Sequence, residues 1–505
     1  MTTAVYRARC EVLIVGLGPV GVTLAALLGR MGVTVLAIER EPIVFPLPRA
    51  AHIDHEIMRI FQSIGMVEDI RPHIRVAPDY EFWNACGDVL MRIERDRVIG
   101  ASGWPVGFNI YQPGIEDALR RGLEGLDTVD AHYGVAFDAI VANGAAGAAG
   151  AAVMLLQGHD RNQVEARFVV ACDGASSPVR EACGIDLDDY LFDEPWLVLD
   201  TVAGDGGFPK ANIQRCDPER PTSFIHMGPG RLRWEFMLKP HEDPSRMKTD
   251  DAIAELLKPW RVGGDIQVER AAVYRFHGLV AQTWRQASIF LAGDAAHQMP
   301  PFMGQGLCSG LRDAANLAWK LRTVIEDERA EALLDTYQGE REPHVRFVIE
   351  RAIEMGRMVC TLDPDVAASR DNEMLAQPRI GGPVQLPPLA EGCLMPGTPG
   401  AGEIFPQPVD RAVPIYLDDV LGPGAWLISL AEPRGLKTPP ELRLVDPASD
   451  LPPALAAPIK AWLAEHAVEA VLVRPDRYVF GSGLAASLVE QYAVWHGQRE
   501  VAGDR

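Results

Sequence analysis

Three glycines near the start of the chain have the spacing that a dinucleotide phosphate requires. They are Gly16, Gly18 and Gly21, and the acidic residue Glu39 follows 18 residues after the last of them. Glycines at this spacing permit a tight turn and a close approach of the backbone to a pyrophosphate, whose charge the N-terminus of the next helix attracts. A carboxylate at the end of the following strand accepts a hydrogen bond from a ribose hydroxyl. The pattern therefore predicts a dinucleotide-binding site.

The residues around these glycines predict a β-α-β unit rather than a membrane span. No charged residue occurs from 12 to 29, a stretch long enough to be a candidate for crossing a bilayer. However, Gly16, Gly18 and Pro19 interrupt it where a spanning helix would be most regular. We expect a strand over 11–15, a helix over 20–31 and a second strand over 33–38.

The composition argues against polyanionic partners. Lys and Arg total 48 against 69 Asp and Glu, and the net charge is −21. Because nucleic acids and anionic membranes bind clustered basic residues, we expect neither as a partner. The eight cysteines contain no C-x-x-C pair, and scattered thiols of this kind favour a reducing cytoplasm.

The order of apolar runs predicts an α/β fold with α+β insertions and several domains. We expect a discontinuous, Rossmann-like nucleotide-binding domain over 1–184 and 276–377, with strands around 80–110 that belong to a second domain. That second domain is the β-rich segment 185–275, an antiparallel sheet suited to shaping a substrate cavity. A linker rich in Pro and Gly covers 378–408, and 409–505 forms a separate module.

Two shorter segments carry local predictions. Apolar residues at three-to-four spacing predict a helix over 50–71. The Ala- and Gly-rich stretch 143–152 predicts a hairpin tip or a surface loop. On the predicted helix, His52 and His55 share a face but Asp54 does not, so we expect no metal site in this cluster.

Two later motifs, taken with the glycines, resemble a known family. The first is DGASSPVR at 173–180, and the second runs from GDAAH at 293–297 through PP at 300–301 and GQG at 304–306 to RDAANLAWKL at 312–321. In this order, the motifs resemble those of the FAD-dependent aromatic hydroxylases, the class A flavoprotein monooxygenases. The resemblance implies bound FAD, NADH or NADPH as a transient electron donor, and a thioredoxin-like C-terminal domain without an active cysteine pair.

The resemblance also implies which residues contact FAD. The expected FAD-binding residues are Gly16, Gly18, Pro19, Val20, Gly21, Glu39, Arg40, Arg49, Gln112, Val135, Asp173, Asp294, Pro301, Gly304, Gln305, Gly306 and Leu307. Among them, Asp294 is expected to accept hydrogen bonds from ribityl hydroxyls, and the helix N-terminus near 304–307 favours negative charge on the flavin ring. A helix-capping role for Asp294 and a solvated loop position for Arg49 are the alternatives.

The activity implied by the resemblance is hydroxylation of a phenol ortho to its OH, with O2 as co-substrate, through a flavin C4a-hydroperoxide. The expected substrate is 3-(3-hydroxyphenyl)propionate or a similar small phenol. A hydroxylase of a larger polyketide-like aromatic and a flavin-binding sensor without turnover are the alternatives. His52 or His297 is the candidate proton relay, and Arg233 and His226 are candidates for holding a substrate carboxylate. A homodimer is a further expectation.

Overall fold

The computed structural model describes residues 6–144, 150–203, 207–260, 266–377, 379–431, 438–439 and 441–496. Within these ranges, two large sheets, a smaller C-terminal sheet and the helices between them form a mixed α/β fold, as the sequence predicts. Every helix in the described ranges is too short or too polar to cross a bilayer.

The first sheet is built around the predicted β-α-β unit, which is confirmed. Arg9–Val15 lies between two parallel strands, Val35–Glu39 and Asp160–Ala171, and the helix Pro19–Arg30 connects the first two. These strands are apolar on both faces, as a parallel sheet covered by helices requires. The strand order is Arg285–Gln286, Ile289–Leu291, Asp160–Ala171, Arg9–Val15, Val35–Glu39 and Val129–Tyr133, with Ala151–Gln157 paired to Asp160–Ala171 and Ala136–Asn143 paired to Ala151–Gln157.

The Ala- and Gly-rich stretch joins two antiparallel strands of this sheet, Ala136–Asn143 and Ala151–Gln157. The backbone N–H of Gly144 donates to the carbonyl oxygen of Gly150 at 2.9 Å. These contacts support the hairpin prediction, although residues 145–149 lie outside the described part of the chain.

The second sheet joins segments that are far apart in sequence. Its nine strands are, in order, His297–Gln298, Ile266–Ala281, Leu187–Ala203, Arg231–Met237, Thr222–His226, Asn212–Arg215, Tyr80–Trp83, Val89–Ile93 and Arg379–Gly381. Side chains alternate between its faces. Trp234 packs in an apolar cluster with Leu257 of the helix Asp250–Leu257, whereas its neighbours Arg233 and Glu235 face a cavity.

The prediction of one helix over 50–71 is wrong at its start. His52–Asp54 is a strand that pairs antiparallel with Gly107–Ile110, and the helix runs only over His55–Ser63. The Asp54 side chain accepts hydrogen bonds from the N–H groups of Glu56 and Ile57, and this N-cap fixes the helix start after residue 54. The reasoning about a shared helix face therefore does not apply to His52. Ile74–Val76 completes this three-stranded sheet.

Long helices cover the first sheet. Gly306–Glu326 packs against both Pro19–Arg30 and Ala332–Val359. Further α-helices are Val67–Ile70, Gln112–Leu123, Pro178–Ala182, Pro244–Met247, Pro364–Ala376 and Leu417–Leu421. The 3-10 turns in the described residues are Arg71–His73, Lys258–Trp260, Gly293–Ala295, Pro301–Met303 and Glu328–Ala330.

The C-terminal unit has its own sheet. The strands lie in the order Leu442–Val445, Ala425–Ser429, Ala470–Val473 and Val479–Gly483, with one parallel and two antiparallel pairings. The helices Pro453–Glu465 and Ala485–Trp495 belong to this unit, and a short ribbon pairs Val409–Asp410 with Ile415–Tyr416. The thioredoxin-like assignment and the domain boundaries stay predictions.

Candidate active site

A cavity of about 940 Å³ is lined by residues from both large sheets. Ligand sites in proteins usually measure about 300–1,000 Å³, so this cavity can hold a large cofactor. Of the residues predicted to contact FAD, the cavity is lined by Gly16, Gly18, Pro19, Val20, Glu39, Arg40, Arg49, Gln112, Val135, Asp173, Asp294, Pro301, Gly304, Gly306 and Leu307. His52 and Arg233 also line it.

Two predicted FAD-binding residues lie behind the cavity wall. A Cβ on Gly21 would lie 1.9 Å from the carbonyl oxygen of Gly16, so this glycine lets the helix pack against the turn. Gln305 is buried and its Oε1 accepts a hydrogen bond from the Arg312 guanidinium at 3.1 Å. Both residues shape the site rather than form its surface.

The glycine turn leaves room for a phosphate group. Gly16 has φ +98°, and a Cβ there would lie 2.4 Å from the carbonyl oxygen of Cys172. A Cβ on Gly18 would meet no atom within 4 Å. The helix Pro19–Arg30 begins without a capping side chain or an acidic residue in its first turn. Its free N–H groups and positive dipole end are therefore available to an anion, which fits the pyrophosphate of FAD.

Glu39 lies at the end of its strand, where the motif places the ribose. Its two carboxylate oxygens accept the N–H groups of Leu17 and Glu41, each at 2.9 Å. Each oxygen can accept a second hydrogen bond, so the carboxylate is oriented and still able to bind a hydroxyl. The N–H of Val135 donates to the backbone oxygen of Glu39 at 2.9 Å, which fixes the neighbouring strand beside it.

Asp294 projects into the middle of the cavity from the turn after Ile289–Leu291. It is exposed to the cavity but lies deep within the protein, and this burial raises the pKa of its carboxyl. No described side chain or N–H group donates a hydrogen bond to this carboxylate. It does not cap a helix, because no capping bond is formed at the 3-10 turn Gly293–Ala295. An acceptor without a partner fits the ribityl hydroxyls of FAD.

The flavin end of the cavity is bounded by the start of the helix Gly306–Glu326. Gly304 has φ +63°, and a Cβ there would lie 3.3 Å from the Cβ of His52. The helix has no acidic residue in its first turn and no capping side chain. Its N-terminal dipole therefore faces this part of the cavity without compensation and favours negative charge on a bound ring.

Two side chains brace the walls of the FAD region. Gln112 accepts hydrogen bonds through Oε1 from the N–H groups of Arg49 and Ala50, at 3.0 and 2.7 Å. This holds the loop that carries Arg49. Asp173 accepts from the N–H of Val179 at 3.1 Å through one oxygen, while its other oxygen is buried without a partner in the described structure.

His52 stands between the two large sheets with both ring nitrogens buried and unpartnered among the described residues. Burial, followed by the charge of Arg95, lowers the pKa of His52 to about 3, so the imidazole is neutral at pH 7. A neutral imidazole has one donor and one acceptor nitrogen, and neither has a hydrogen-bond partner among the described residues. His297 differs, because its Nε2 lies 2.6 Å from Asp313 and it does not line the cavity.

The two predicted substrate anchors are already engaged within the protein. The guanidinium of Arg233 donates to Asp200 at 2.7 Å and to the backbone oxygens of Pro48 and Arg49 at 2.6 and 2.9 Å. It therefore positions the Arg49 loop, and its role toward a substrate stays a prediction. His226 lies outside the cavity lining, with Nε2 2.8 Å from the carbonyl oxygen of Pro209.

Replacing Asp200 by asparagine is expected to lower the free energy of unfolding by about 3–5 kcal/mol, because removing one partner leaves buried cations uncompensated. Asp200 lies 2.7 Å from Arg233 and 3.4 Å from Arg270, and all three are buried. Urea unfolding measures the change. The control is Asp193→Asn on the same strand, whose exposed ion pair with Arg275 is worth about 0–1 kcal/mol. Equal losses in both variants would contradict the prediction.

Sequence reasoning gave no role to the residues that hold the Asp294 turn from behind. Asp313 accepts from the N–H of Gly293 at 3.1 Å and from Arg341 at 3.0 Å, and Arg341 contacts Nδ1 of His344 at 3.0 Å. Asp313 belongs to the motif at 312–321, and this motif is the sequence feature that could have identified it. Nothing in the sequence pointed to Arg341 or His344, because the helix Ala332–Val359 carries no motif.

His344 is expected to make the protein less stable at mildly acidic pH. Burial, followed by the charge of Arg341, lowers its pKa from 6.5 to about 3. The unfolded chain therefore binds a proton below pH 6.5 that the folded protein does not, so this stability is present above pH 6.5 and is lost as the pH falls. Between pH 7 and 5 the loss from this residue is about 2 kcal/mol.

The measurement for this prediction is urea unfolding at pH 7 and pH 5 for the wild type and His344→Asn. Asparagine keeps an acceptor for Arg341 and has no group that titrates in this range. The wild type should lose more stability than the variant over this interval. Parallel pH dependence in the two proteins would show that His344 is not the titrating group.

Further cavity-lining residues come from the second sheet and its neighbours, namely Tyr80, Arg95, Asn109, Asn212, Ile225, Glu235, Tyr274 and Phe276. None was predicted, because alternation along a strand does not show which face meets the cavity. They place a mixed polar and aromatic surface opposite the FAD-binding region. In the described residues, no three His, Cys, Asp or Glu side chains converge as metal ligands.

Comparisons with known proteins point to the same cofactor. A family model described as "FAD binding domain" matches residues 9–352. The chain is 36% identical to a probable NADH-specific resorcinol 4-hydroxylase of Rhodococcus jostii, over 96% of both chains. It is 33% identical to a 3-(3-hydroxy-phenyl)propionate/3-hydroxycinnamic acid hydroxylase of Mycolicibacterium smegmatis, over 94% of this chain and 91% of the relative.

Solved structures show the same fold at lower identity. The flavin-dependent monooxygenase PieE, in complex with FAD and substrate, matches with a TM-score of 0.78 and 20% identity, over 97% of this chain and 99% of that one. Aklavinone-11 hydroxylase with FAD and aklavinone matches equally well, with a TM-score of 0.78, 21% identity and the same coverage of both chains.

Proposed function

Because this chain belongs to the FAD binding domain family and is an FAD-dependent aromatic monooxygenase, we propose that its cavity binds FAD along the first sheet and a small meta-substituted phenol beside His52. The single observation that carries the proposal is the cavity itself. One wall supplies unpartnered groups that suit a dinucleotide, and the opposite wall supplies a separate polar and aromatic surface. The two relatives named above are both hydroxylases of meta-substituted phenols.

Different residues of the cavity bind different parts of FAD. The backbone at Gly16 and Gly18 with the following helix start holds the pyrophosphate, Glu39 the ribose, and Asp294 the ribityl chain. The helix start at Gly306 stabilises charge on the ring. When bound, FAD supplies the redox chemistry, in which NADH or NADPH is the reductant and O2 the oxidant. In the balanced reaction, a phenol, O2, NAD(P)H and a proton give a dihydroxylated ring, NAD(P)+ and water.

His52 orients the phenol and relays its proton. A neutral imidazole accepts a hydrogen bond from the phenol OH, which raises electron density on the ring at the ortho carbon. Because its pKa is about 3, His52 is too weak a base to keep the phenol proton at pH 7. We therefore assign it the role of accepting a hydrogen bond from the phenol and passing the proton on. Both of its ring nitrogens are buried, which keeps bulk water away from them.

The same cavity has to hold FAD as well, which favours a small phenol over a polycyclic aromatic. We propose NADH as the electron donor on the basis of the Rhodococcus relative. A cytoplasmic location fits the eight cysteines, all of which are free. Assembly as a homodimer remains part of the proposal.

The test is oxidation of NADH and NADPH by the FAD-loaded protein, with and without resorcinol and 3-(3-hydroxyphenyl)propionate. We expect a phenol to accelerate NADH oxidation and O2 uptake and to gain one oxygen atom by mass spectrometry. Peroxide is measured alongside, so that uncoupled oxidation is not counted as hydroxylation. A yellow protein that consumes no NADH with any phenol would instead support the flavin-binding sensor.

A further inference from the structure

Arg95 is a cavity-lining guanidinium without a carboxylate partner in the described part of the chain. It follows the strand Val89–Ile93 in a turn that Asp79 stabilises. Oδ1 of Asp79 accepts hydrogen bonds from the backbone N–H groups of Arg95 and Asp96, at 2.9 and 3.0 Å. The Asp79 carboxylate is therefore used by the backbone, and the neighbouring Asp96 pairs with Arg97 at 3.8 Å. The guanidinium itself lies over the ring of Tyr80, with Cζ 5.2 Å from the ring centroid.

Other arginines that line the cavity have acidic partners. The pairs are Arg40 with Glu41 at 3.6 Å, Arg120 with Glu116 at 2.9 Å, Arg233 with Asp200 at 2.7 Å, and Arg275 with Asp193. Arg49, like Arg95, has none among the described residues, but it lies beside Gln112 in the region assigned to FAD, where its charge opposes the rise that burial causes in the pKa of Asp294. Arg95 is thus the uncompensated cation on the side of the cavity formed by the second sheet.

Tyr80 holds this cation in place without using its donors. Its hydroxyl donates to Oε1 of Gln214 at 3.3 Å, which fixes the ring, and the ring face attracts the guanidinium. The guanidinium N–H groups of Arg95 have no acceptor among the described residues and remain free for a ligand. Burial lowers the pKa of Arg95, and its charge in turn lowers the pKa of His52, so the two groups act within one electrostatic environment. A desolvated guanidinium in such a place is stabilised by an anion.

We propose that Arg95 and Tyr80 form a subsite for the substrate's carboxylate, so that the preferred substrate is a phenol with an acidic side chain. The inference deepens the proposed function and rests on it. A carboxylate matches the planar donors of arginine in a bidentate pair, while the phenol OH at the other end of the substrate meets His52. Of the two meta-substituted phenols above, this selects 3-(3-hydroxyphenyl)propionate over resorcinol.

The test compares 3-(3-hydroxyphenyl)propionate with its uncharged amide. Binding to the FAD-loaded protein is followed by the change in flavin absorbance, which needs no turnover. The wild type should bind the acid roughly 10- to 100-fold more tightly than the amide, and Arg95→Gln should remove this preference, because a hydrogen bond to a charged group contributes about that much. Arg95→Lys should keep part of it, since it keeps the charge but not the bidentate geometry.

The matched control is Arg97→Gln, on the same turn, where the side chain is 92% exposed. It should bind both probes like the wild type. Equal binding of the acid and the amide by the wild type would overturn the proposal. It would also be overturned if Arg95→Gln lost affinity for the acid and the amide equally and had a lower melting temperature. If resorcinol binding alone depends on Arg95, the anion is a phenolate and the carboxylate assignment is wrong. Failure of the proposed function is separate, since it appears as absence of hydroxylation with every phenol in the wild type.

Discussion

Gly18→Ala is expected to weaken FAD binding at least roughly 10-fold, which is about 1.4 kcal/mol, while leaving the apoprotein as stable as the wild type. A Cβ at this position meets no protein atom within 4 Å, so nothing in the folded chain resists it. Gly18 lines the cavity at the turn that precedes the helix Pro19–Arg30. The added methyl group therefore occupies the space through which a pyrophosphate reaches the helix N-terminus.

Gly16→Ala is the contrasting variant of this prediction. The residue has φ +98°, and its Cβ would lie 2.4 Å from a backbone oxygen of Cys172. Strain at a backbone position of this kind costs about 1–3 kcal/mol, so this variant should lose apoprotein stability as well as FAD affinity. Flavin fluorescence titration of the apoprotein gives the affinity, and urea unfolding without FAD gives the stability.

Gly125→Ala is the control for both glycine variants. It also has open space at the Cβ position, but it does not line the cavity. It should change neither FAD affinity nor fold. If Gly18→Ala binds FAD like the wild type, the pyrophosphate is not held at this turn and the FAD placement along the first sheet is wrong.

The FAD side of the site could be predicted from sequence because its chemistry lies in short, continuous motifs. Gly16, Gly18 and Glu39 belong to one β-α-β unit, and Asp294 and Gly304 lie in the short connection between the strand Ile289–Leu291 and the helix Gly306–Glu326. In each case, the glycines and acidic residues that bind the ligand also set the conformation of the backbone turn on which they lie. Spacing along the chain was enough to predict the roles of Gly16, Gly18 and Glu39, and the family resemblance supplied Asp294 and Gly304.

The substrate side could not be predicted in the same way, because it forms only when distant strands pair. Tyr80 reaches the cavity through parallel pairing of its strand with Asn212–Arg215, a partner more than a hundred residues away. Arg233 shows the second difficulty. Alternation along its strand does not show which face meets the cavity, and its engagement with Asp200 depends on a register that no local pattern reveals.

The contact between the C-terminal unit and the FAD-binding region likewise could not be predicted from the sequence. Glu340, in the helix Ala332–Val359, lies 2.9 Å from Lys320 and 2.6 Å from Arg474, and Arg474 also lies 2.6 Å from Asp476. These side chains are at most 1% exposed. Because burying a charge is costly, such a group is stable only when each member keeps its partners. The two neighbouring cations lower the pKa of Glu340 and keep it ionised, although burial alone would raise it.

Glu340→Gln is accordingly expected to lower the free energy of unfolding by about 3–5 kcal/mol, the range found when one member of a buried ion pair is removed. In the wild type, the N–H of Cys393 donates to Oε1 of Glu340 at 2.8 Å. Glutamine keeps the size of the side chain and an oxygen for this N–H, so the variant tests the loss of the negative charge alone. Two buried cations would then share only Asp476. Urea unfolding measures the loss, and hydrogen exchange should show the C-terminal strands Ala470–Val473 and Val479–Gly483 opening first, because Arg474 joins them to the helix.

Glu342→Gln is the matched control for that variant, two residues along the same helix. Glu342 pairs with Arg346 in a partly exposed contact at 2.6 Å, with side chains 21% and 30% exposed. Such pairs contribute about 0–1 kcal/mol, so this variant should unfold nearly like the wild type. If the two variants behave alike, the buried group does not hold the C-terminal unit to the FAD-binding region. If Glu340→Gln instead loses stability while the C-terminal strands stay protected, the charge supports the helix pair Gly306–Glu326 and Ala332–Val359 rather than the contact between the two parts.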